Sequence, residues 1–162
     1  MTTHTPYVSR LDAETRKTSI DLLNKALTDA ITLGLAIKQA HWTLKGPSFI
    51  GLHELMDEVG HRMGDAADML AERCIILGGH THGTLEQVAD GSSVEPYPGD
   101  ITWQGKHVEA LMDRLMAFGA LMRDSMEKAS EAGDEDTADL FTEISRTVDK
   151  DAWFVGAHAE RK

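Results

Sequence analysis

The chain is short of the features that announce several common protein classes. It has one cysteine, Cys74, in 162 residues, so no intrachain disulfide can form. It has four prolines and no run of about 18 or more apolar residues, which excludes an ordinary membrane-spanning helix. The first residues, MTTHTPYVSRLDAET, lack both the basic start and the apolar run of a secretory signal, and the expectation is a cytoplasmic protein. Basic charge is scarce: 16 Lys and Arg against 27 Asp and Glu leave a formal net charge of −11. Phosphate binding relies on clustered Lys and Arg, so this balance argues against general affinity for nucleic acid or anionic membranes and suits the attraction of cations. No internal repeat or low-complexity segment is evident.

What is present is helical patterning in an amount of chain that suits one domain, 41% hydrophobic and 27% charged. After a polar tail over 1–17, Leu23, Leu27, Ala30, Ile31, Gly34, Lys38 and His41 recur at helical spacing, which predicts a helix from about Thr18 that Gly46-Pro47 stops. A second helix is predicted from Phe49 to Leu77, ended by Gly78-Gly79. The stretch 79–99, GHTHGTLEQVADGSSVEPYPG, reads as a long connection with one short helical turn near Leu85 to Ala89. A third helix is predicted over Asp100 to Glu131 and a fourth over Asp134 to His158, leaving a short tail at 159–162. Connections of this length are uncommon inside a domain. One is needed where the second and third helices of a bundle run parallel, so the fold expected over 18–158 is all-α, a ferritin-like four-helix bundle with a long crossover.

The chemistry concentrates between His41 and Glu72. His53 and Asp57 stand four apart, as do Asp68 and Glu72, which puts each pair on one helix face a turn apart. Imidazole with carboxylate and no thiolate suits a hard or borderline metal ion. One straight helix cannot close both pairs on one ion, because at ~1.5 Å per residue His53 and Glu72 lie roughly 28 Å apart. Two antiparallel copies related by a dyad near His61 and Arg62 can, giving two equivalent sites. Leu52, Leu55, Met56, Val59, Met63, Ala66, Leu70, Cys74 and Leu77 form the stripe for the chain's own core. His53, Asp57, Gly60, Gly64, Asp68, Ala71 and Ile75 form a second, with Glu72 at its edge. Gly60 and Gly64 each cost about 0.5–1 kcal/mol in a helix, a sign of another backbone close by. Either acid pair alone is more often a solvated face; both pairs with small residues between them favour the shared site. The turn at Gly46-Pro47 carries His41 toward His53. Loop residues His80 and His82 are metal-capable but most often such histidines are simply solvated. Cys74, on the core stripe, reads as a buried, inert thiol.

HWTLKGPSFIGLHELMD (41–57), DMLAERCIILGG (68–79), YPGDI (97–101) and DEDTADLFTEISRTVDKDAWF (134–154) occur in an order and spacing that resemble the Dps family, the mini-ferritins named for DNA protection during starvation. The resemblance covers about 18–158. It implies a homo-dodecamer, a hollow shell built from twofold dimers, with two-iron ferroxidase sites at the subunit interfaces. His41 and His53 would come from one subunit, Asp68 and Glu72 from its partner, and Asp57 from the His53 side. The implied reaction oxidises iron(II) to iron(III), preferentially with hydrogen peroxide, and stores the ferric mineral, removing the ingredients of hydroxyl-radical formation. Carboxylates gain more from the higher charge of iron(III), which eases oxidation, while zinc or manganese are alternative occupants of the same ligands. Trp42 resembles the family's tryptophan near the iron site and reads equally as an electron donor or as interfacial packing. Asp134, Glu135, Asp136 and Asp139 resemble acidic pore residues and read equally as an acidic first helical turn.

A second function class is a nucleoid-associated, DNA-coating shell in which iron chemistry is secondary. Against it, residues 1–19 hold only Arg10, Arg16 and Lys17 beside Asp12 and Glu14, and the far end adds only Arg161 and Lys162. DNA binding is therefore expected to be weak or absent at physiological salt. A gel shift should show no retarded DNA there; tight binding at low salt that is lost at high salt would contradict the expectation.

Overall fold

Asp12 opens the first helix: its carboxylate accepts a 2.8 Å hydrogen bond from the Thr15 N–H, satisfying one donor that a helix start leaves bare. The computed structural model describes residues 4–159. The outermost parts of the 1–17 and 159–162 tails, with Arg161 and Lys162, lie outside the described residues. Within them the helices are α1 (Ala13–Thr43), α2 (Phe49–Ile76), α3 (Leu85–Gly91), α4 (Gln104–Glu131) and α5 (Glu135–Gly156). The fold is all-α, four long helices with a crossover that carries the short one.

Two helices end in the same way. Gly78 and Gly133 have φ of +90° and +88°, a region glycine enters without strain. Gly79 N–H then donates to the Cys74 carbonyl and Asp134 N–H to that of Ala129, at 2.9 and 3.0 Å, so the last carbonyls of α2 and α4 are satisfied by Schellman closures.

α1 packs on α2 and α4 on α5, while α1 also meets α4 and α2 meets α5. An isolated bridge joins Lys45 to Trp103: Lys45 N–H donates to the Thr102 carbonyl at 2.7 Å and Gln104 N–H to that of Lys45 at 2.9 Å. The start of α4 is thus tied to the α1–α2 turn, so α2 and α4 run parallel and residues 77–103 must return along the bundle. Buried Asp29 of α1 anchors that return, accepting from the Ser92 hydroxyl at 3.0 Å and from the Ser93 N–H and hydroxyl at 2.6 and 2.7 Å. Asn24 holds its beginning, donating to the His80 carbonyl at 2.9 Å and accepting from His82 N–H at 2.8 Å.

The core comprises Leu23, Leu27, Leu33 and Ile37 from α1 with Leu52, Met56, Val59, Met63 and Leu70 from α2. Val108, Leu111, Leu115, Phe118 and Met122 of α4 and Phe141, Ile144 and Val148 of α5 complete it. The predicted α2 core stripe is buried except for Leu55, which is half-buried. Cys74 lies in this core, and burial pushes its thiol up to about 11. Helix starts differ most from expectation at two places. α1 begins at Ala13, before Thr18, because of the Asp12 cap; α4 begins at Gln104, after Asp100, because the Lys45–Trp103 bridge holds the chain extended there. Among the described residues no helix is long and apolar enough to cross a membrane.

One buried ion pair ties α2 to the start of α5. Arg73 Nη2 lies 2.9 Å from Asp134 Oδ1, and Asp134 also accepts from the Thr137 N–H and hydroxyl. Burial raises the Asp134 carboxyl's pKa, but the Thr137 hydrogen bonds and the Arg73 charge outweigh it and hold the group below its ordinary 3.8. A depressed carboxylate stabilises the fold above the unfolded pKa and loses that contribution as pH falls through the folded one. Asp134→Ala, which strands the Arg73 charge, should destabilise the chain by about 3–5 kcal/mol at pH 7. That loss should shrink below pH ~3.8, read from thermal unfolding midpoints; equal midpoints at pH 7 would refute the pair's role.

Candidate metal centre

His41 lies in the last turn of α1 and His53 in the first turns of α2, and the short turn between them stacks the two rings, with centroids 3.7 Å apart and planes at 20°. Each ring is held by the other's backbone. His41 Nδ1 is 2.8 Å from the His53 carbonyl oxygen, and His53 Nδ1 is 2.9 Å from that of His41. The His41 carbonyl belongs to the last turn of its helix, where it lacks an intrahelical partner, so His53 fills a position that the helix end leaves open. A carbonyl only accepts, so both Nδ1 atoms carry a proton, and in the neutral imidazole the lone pair is then on Nε2. That is the tautomer a metal-binding imidazole needs, fixed by the hydrogen bond at its other nitrogen.

Asp57 lies one turn beyond His53. Lys38, one turn before His41 on α1, forms a short ion pair with Asp57. That hydrogen bond holds the Asp57 carboxyl below its ordinary range against the opposing effect of burial. The chain therefore brings His41, His53 and Asp57 to one end of the α1–α2 hairpin, with the carboxylate engaged by a cation.

Asp68 and Glu72 are exposed on α2, and the helix carries them roughly 22 and 28 Å from His53 along its axis. The structure does not bring them to the histidines within one chain, and among the described residues no group of three or more His, Cys, Asp or Glu is placed to hold a metal ion. Between the two ends, a Cβ added at Gly60 would meet the Ile37 side chain at an ordinary 3.5 Å, while one added at Gly64 would meet nothing within 4 Å. The chain's own packing does not require glycine at 64, and this face of α2 is open. Leu35, Ile50 and Trp42 are exposed apolar side chains of α1 and α2, the last 68% exposed and next to His41 in sequence.

His80 and His82 follow the far end of α2, away from His41 and His53. The His80 ring lies 4.4 Å from that of His4. The four acids at the α4–α5 corner separate by burial: Asp134 is 1% exposed and serves as helix cap and Arg73 partner, whereas Glu135, Asp136 and Asp139 face outward. Sequence reasoning placed Lys38 on a helical face but did not see its role. Its spacing of three from His41 was the available signal, since that puts an ammonium beside whatever the histidine faces.

Comparisons with known proteins agree with this fold. A family model for the ferritin-like domain matches residues 20–162. The DNA protection during starvation protein of Agrobacterium fabrum is 40% identical over 152 residues, covering 94% of each chain. DNA protection during starvation protein 2 of Bacillus anthracis is 32% identical over 141 residues, covering 87% of this chain and 96% of that one. The chain belongs to the Dps family. Among solved structures, DpsC from Streptomyces coelicolor superposes with a TM-score of 0.93 at 29% identity, covering 100% of this chain and 95% of that one. A Dps from Microbacterium arborescens, described in a high iron form, gives 0.85 at 30% identity, with 92% and 98% covered. These neighbours share the Dps bundle over nearly the whole of this chain.

Lys38 competes with any cation for the Asp57 carboxylate and adds repulsion of its own. In this Dps-family chain Lys38→Met should tighten divalent-metal binding by roughly two- to tenfold, measured by calorimetric titration with zinc(II) or anaerobic iron(II). Unchanged or weaker affinity would show that Lys38 does not oppose the metal.

Proposed function

We propose that this Dps-family chain is a ferroxidase: it oxidises iron(II) with hydrogen peroxide at sites shared between two copies and keeps the ferric product inside a hollow cytoplasmic dodecamer. The observation that carries the reading is the division of donors along α2. Two open Nε2 atoms and Asp57 stand at one end, two exposed carboxylates at the other, and an uncrowded face lies between. An antiparallel second copy across that face would set Asp68 and Glu72 of one copy opposite His41, His53 and Asp57 of the other.

Iron(II) is the substrate. The imidazoles bind it as neutral ligands and leave the ion exchangeable, while Asp68 and Glu72 add negative charge that favours iron(III) and so lowers the barrier to electron loss. Glu72 has two oxygens and would bridge two ions, letting two electrons pass to one peroxide. Asp57 becomes available when the incoming cation displaces Lys38. Zinc and manganese suit the same donors and would act as competitors. Glu135, Asp136 and Asp139, repeated around a symmetry axis, would concentrate cations at an entrance to the shell. The formal charge of −11 per chain supports cation uptake over DNA coating.

The test is anaerobic iron(II) loading followed by peroxide, with ferric absorbance recorded. Asp68→Ala should slow the reaction by about 10²-fold or more; equal rates would remove the site as assigned. In the same assay, Asp136→Asn combined with Asp139→Asn should slow mineral growth while leaving the first, site-limited phase unchanged, and unaltered growth would end the pore assignment.

A further inference from the structure

The segment before α1 folds back over the end of α2. Tyr7 N–H donates to the Ile76 carbonyl at 2.9 Å, and Val8 and Leu11 pack against the core. A Cβ added at Gly78 would meet the His4 carbonyl oxygen at 2.8 Å and the Pro6 nitrogen at 3.3 Å. Glycine at 78 is therefore required twice, once for the φ that ends α2 and once to let this segment lie against it. The chain leaving α2 is fixed as well, because the His80 carbonyl accepts from the Asn24 amide at 2.9 Å and from the Cys74 thiol at 3.4 Å. Both backbones are thus held where the exposed side chains of His4 and His80 meet, with ring centroids 4.4 Å apart and planes at 50°.

That spacing has a chemical meaning. With about 2.0–2.1 Å from metal to nitrogen and about 1.1 Å on to the ring centre, two imidazoles on one ion at about 90–109° have centres roughly 4.5–5.2 Å apart. The His4–His80 separation of 4.4 Å stands at the lower edge of that range, within reach of a small ring rotation. Each imidazole has two nitrogens, so one can ligate while the other keeps a hydrogen bond. The C-terminal end of α2 lies at the same place and contributes the negative end of a helix dipole. The chain's formal charge of −11 favours a cation there too.

We propose that His4 and His80 form a second metal site, which takes a borderline divalent ion of the zinc(II) class and clasps the segment before α1 to the end of α2. Two imidazoles without a carboxylate or thiolate suit such an ion and not a hard one such as iron(III) or magnesium. Water fills the remaining positions, since among the described residues no group of three or more His, Cys, Asp or Glu is placed to hold an ion. The bound ion joins two segments that are distant in sequence, so it stabilises the docked form of the first over any form in which the two rings part. The site uses none of His41, His53, Asp57, Asp68 or Glu72 and stands independently of the ferroxidase reading.

Calorimetric titration with zinc(II) isolates the site in a full-length chain that also carries His53→Ala and Asp68→Ala, which removes donors from both ends of the shared centre. One zinc(II) per chain should still bind. Adding His4→Phe, which keeps a ring against His80 and removes its nitrogens, should abolish that binding. His80→Phe should abolish it as well, because its backbone carbonyl still serves Asn24 and Cys74. A second measurement uses the otherwise unaltered protein. Arg10 is exposed between half-buried Leu11 and the docked residues before it, so tryptic cleavage after Arg10 reads the opening of the segment. Zinc(II) at ten times its dissociation constant should slow that cut about tenfold, and His4→Phe should remove the effect. No zinc(II) bound in the double variant, binding undiminished by His4→Phe or His80→Phe, or cleavage of wild type that zinc(II) does not slow would overturn the proposal.

Discussion

A straight helix advances about 1.5 Å for every residue and does not fold back on itself. That rigidity governs the functional reading of this chain. α2 carries ligand-type side chains at both ends, and its own stiffness keeps His53 and Glu72 apart. The bundle reinforces the separation, because the core stripe of α2 is buried against its neighbours along its whole length and leaves no freedom for a bend. Chemistry that needs both groups must come from association, and in an antiparallel dimer each α2 contributes opposite ends to two sites.

The remainder of the fold serves to keep the histidine end in one geometry. The reciprocal bonds between His41 and His53 depend on the turn between α1 and α2, and that turn is bridged to the start of α4 through Lys45 and Trp103. The start of α4 in turn carries His107, whose Nε2 lies 3.5 Å from the Thr43 hydroxyl. At the far end, Asn24, Asp29 and the Arg73–Asp134 pair fix the crossover and the α4–α5 corner. Polar groups buried in the bundle thus do positional work at its ends, while the apolar stripes between them supply the stabilising burial.

Much of this was legible in the sequence, for identifiable reasons. The α2 stripes follow from a period that any helix imposes, and the stop at Gly46-Pro47 brings His41 to His53. What escaped was tertiary. The Asp12 cap is a local signal, but it sits inside a stretch whose polarity resembles a tail. The delayed start of α4 depends on a bridge across more than fifty residues of chain. Asp134, Asp136 and Asp139 look alike in a row of acids, and only the approach of Arg73 buries the first and leaves the others outside. Lys38 is one more helical position until Asp57 is seen beside it, and nothing in the spacing of His4 and His80 announces that their rings meet.

The claim that each site is built from two chains is tested most directly by mixing two inactive variants. His53→Ala and Asp68→Ala are each prepared, dissociated, combined in equal amounts and reassembled, and ferric absorbance is followed after iron(II) and peroxide. In a mixed pair one site receives its histidines and its carboxylates from the unaltered end of each chain, so roughly a quarter of all sites should be intact and activity should return to about that fraction of wild type. If the reassembled mixture stays as inactive as either variant alone, the donors belong to a single chain and the account is wrong.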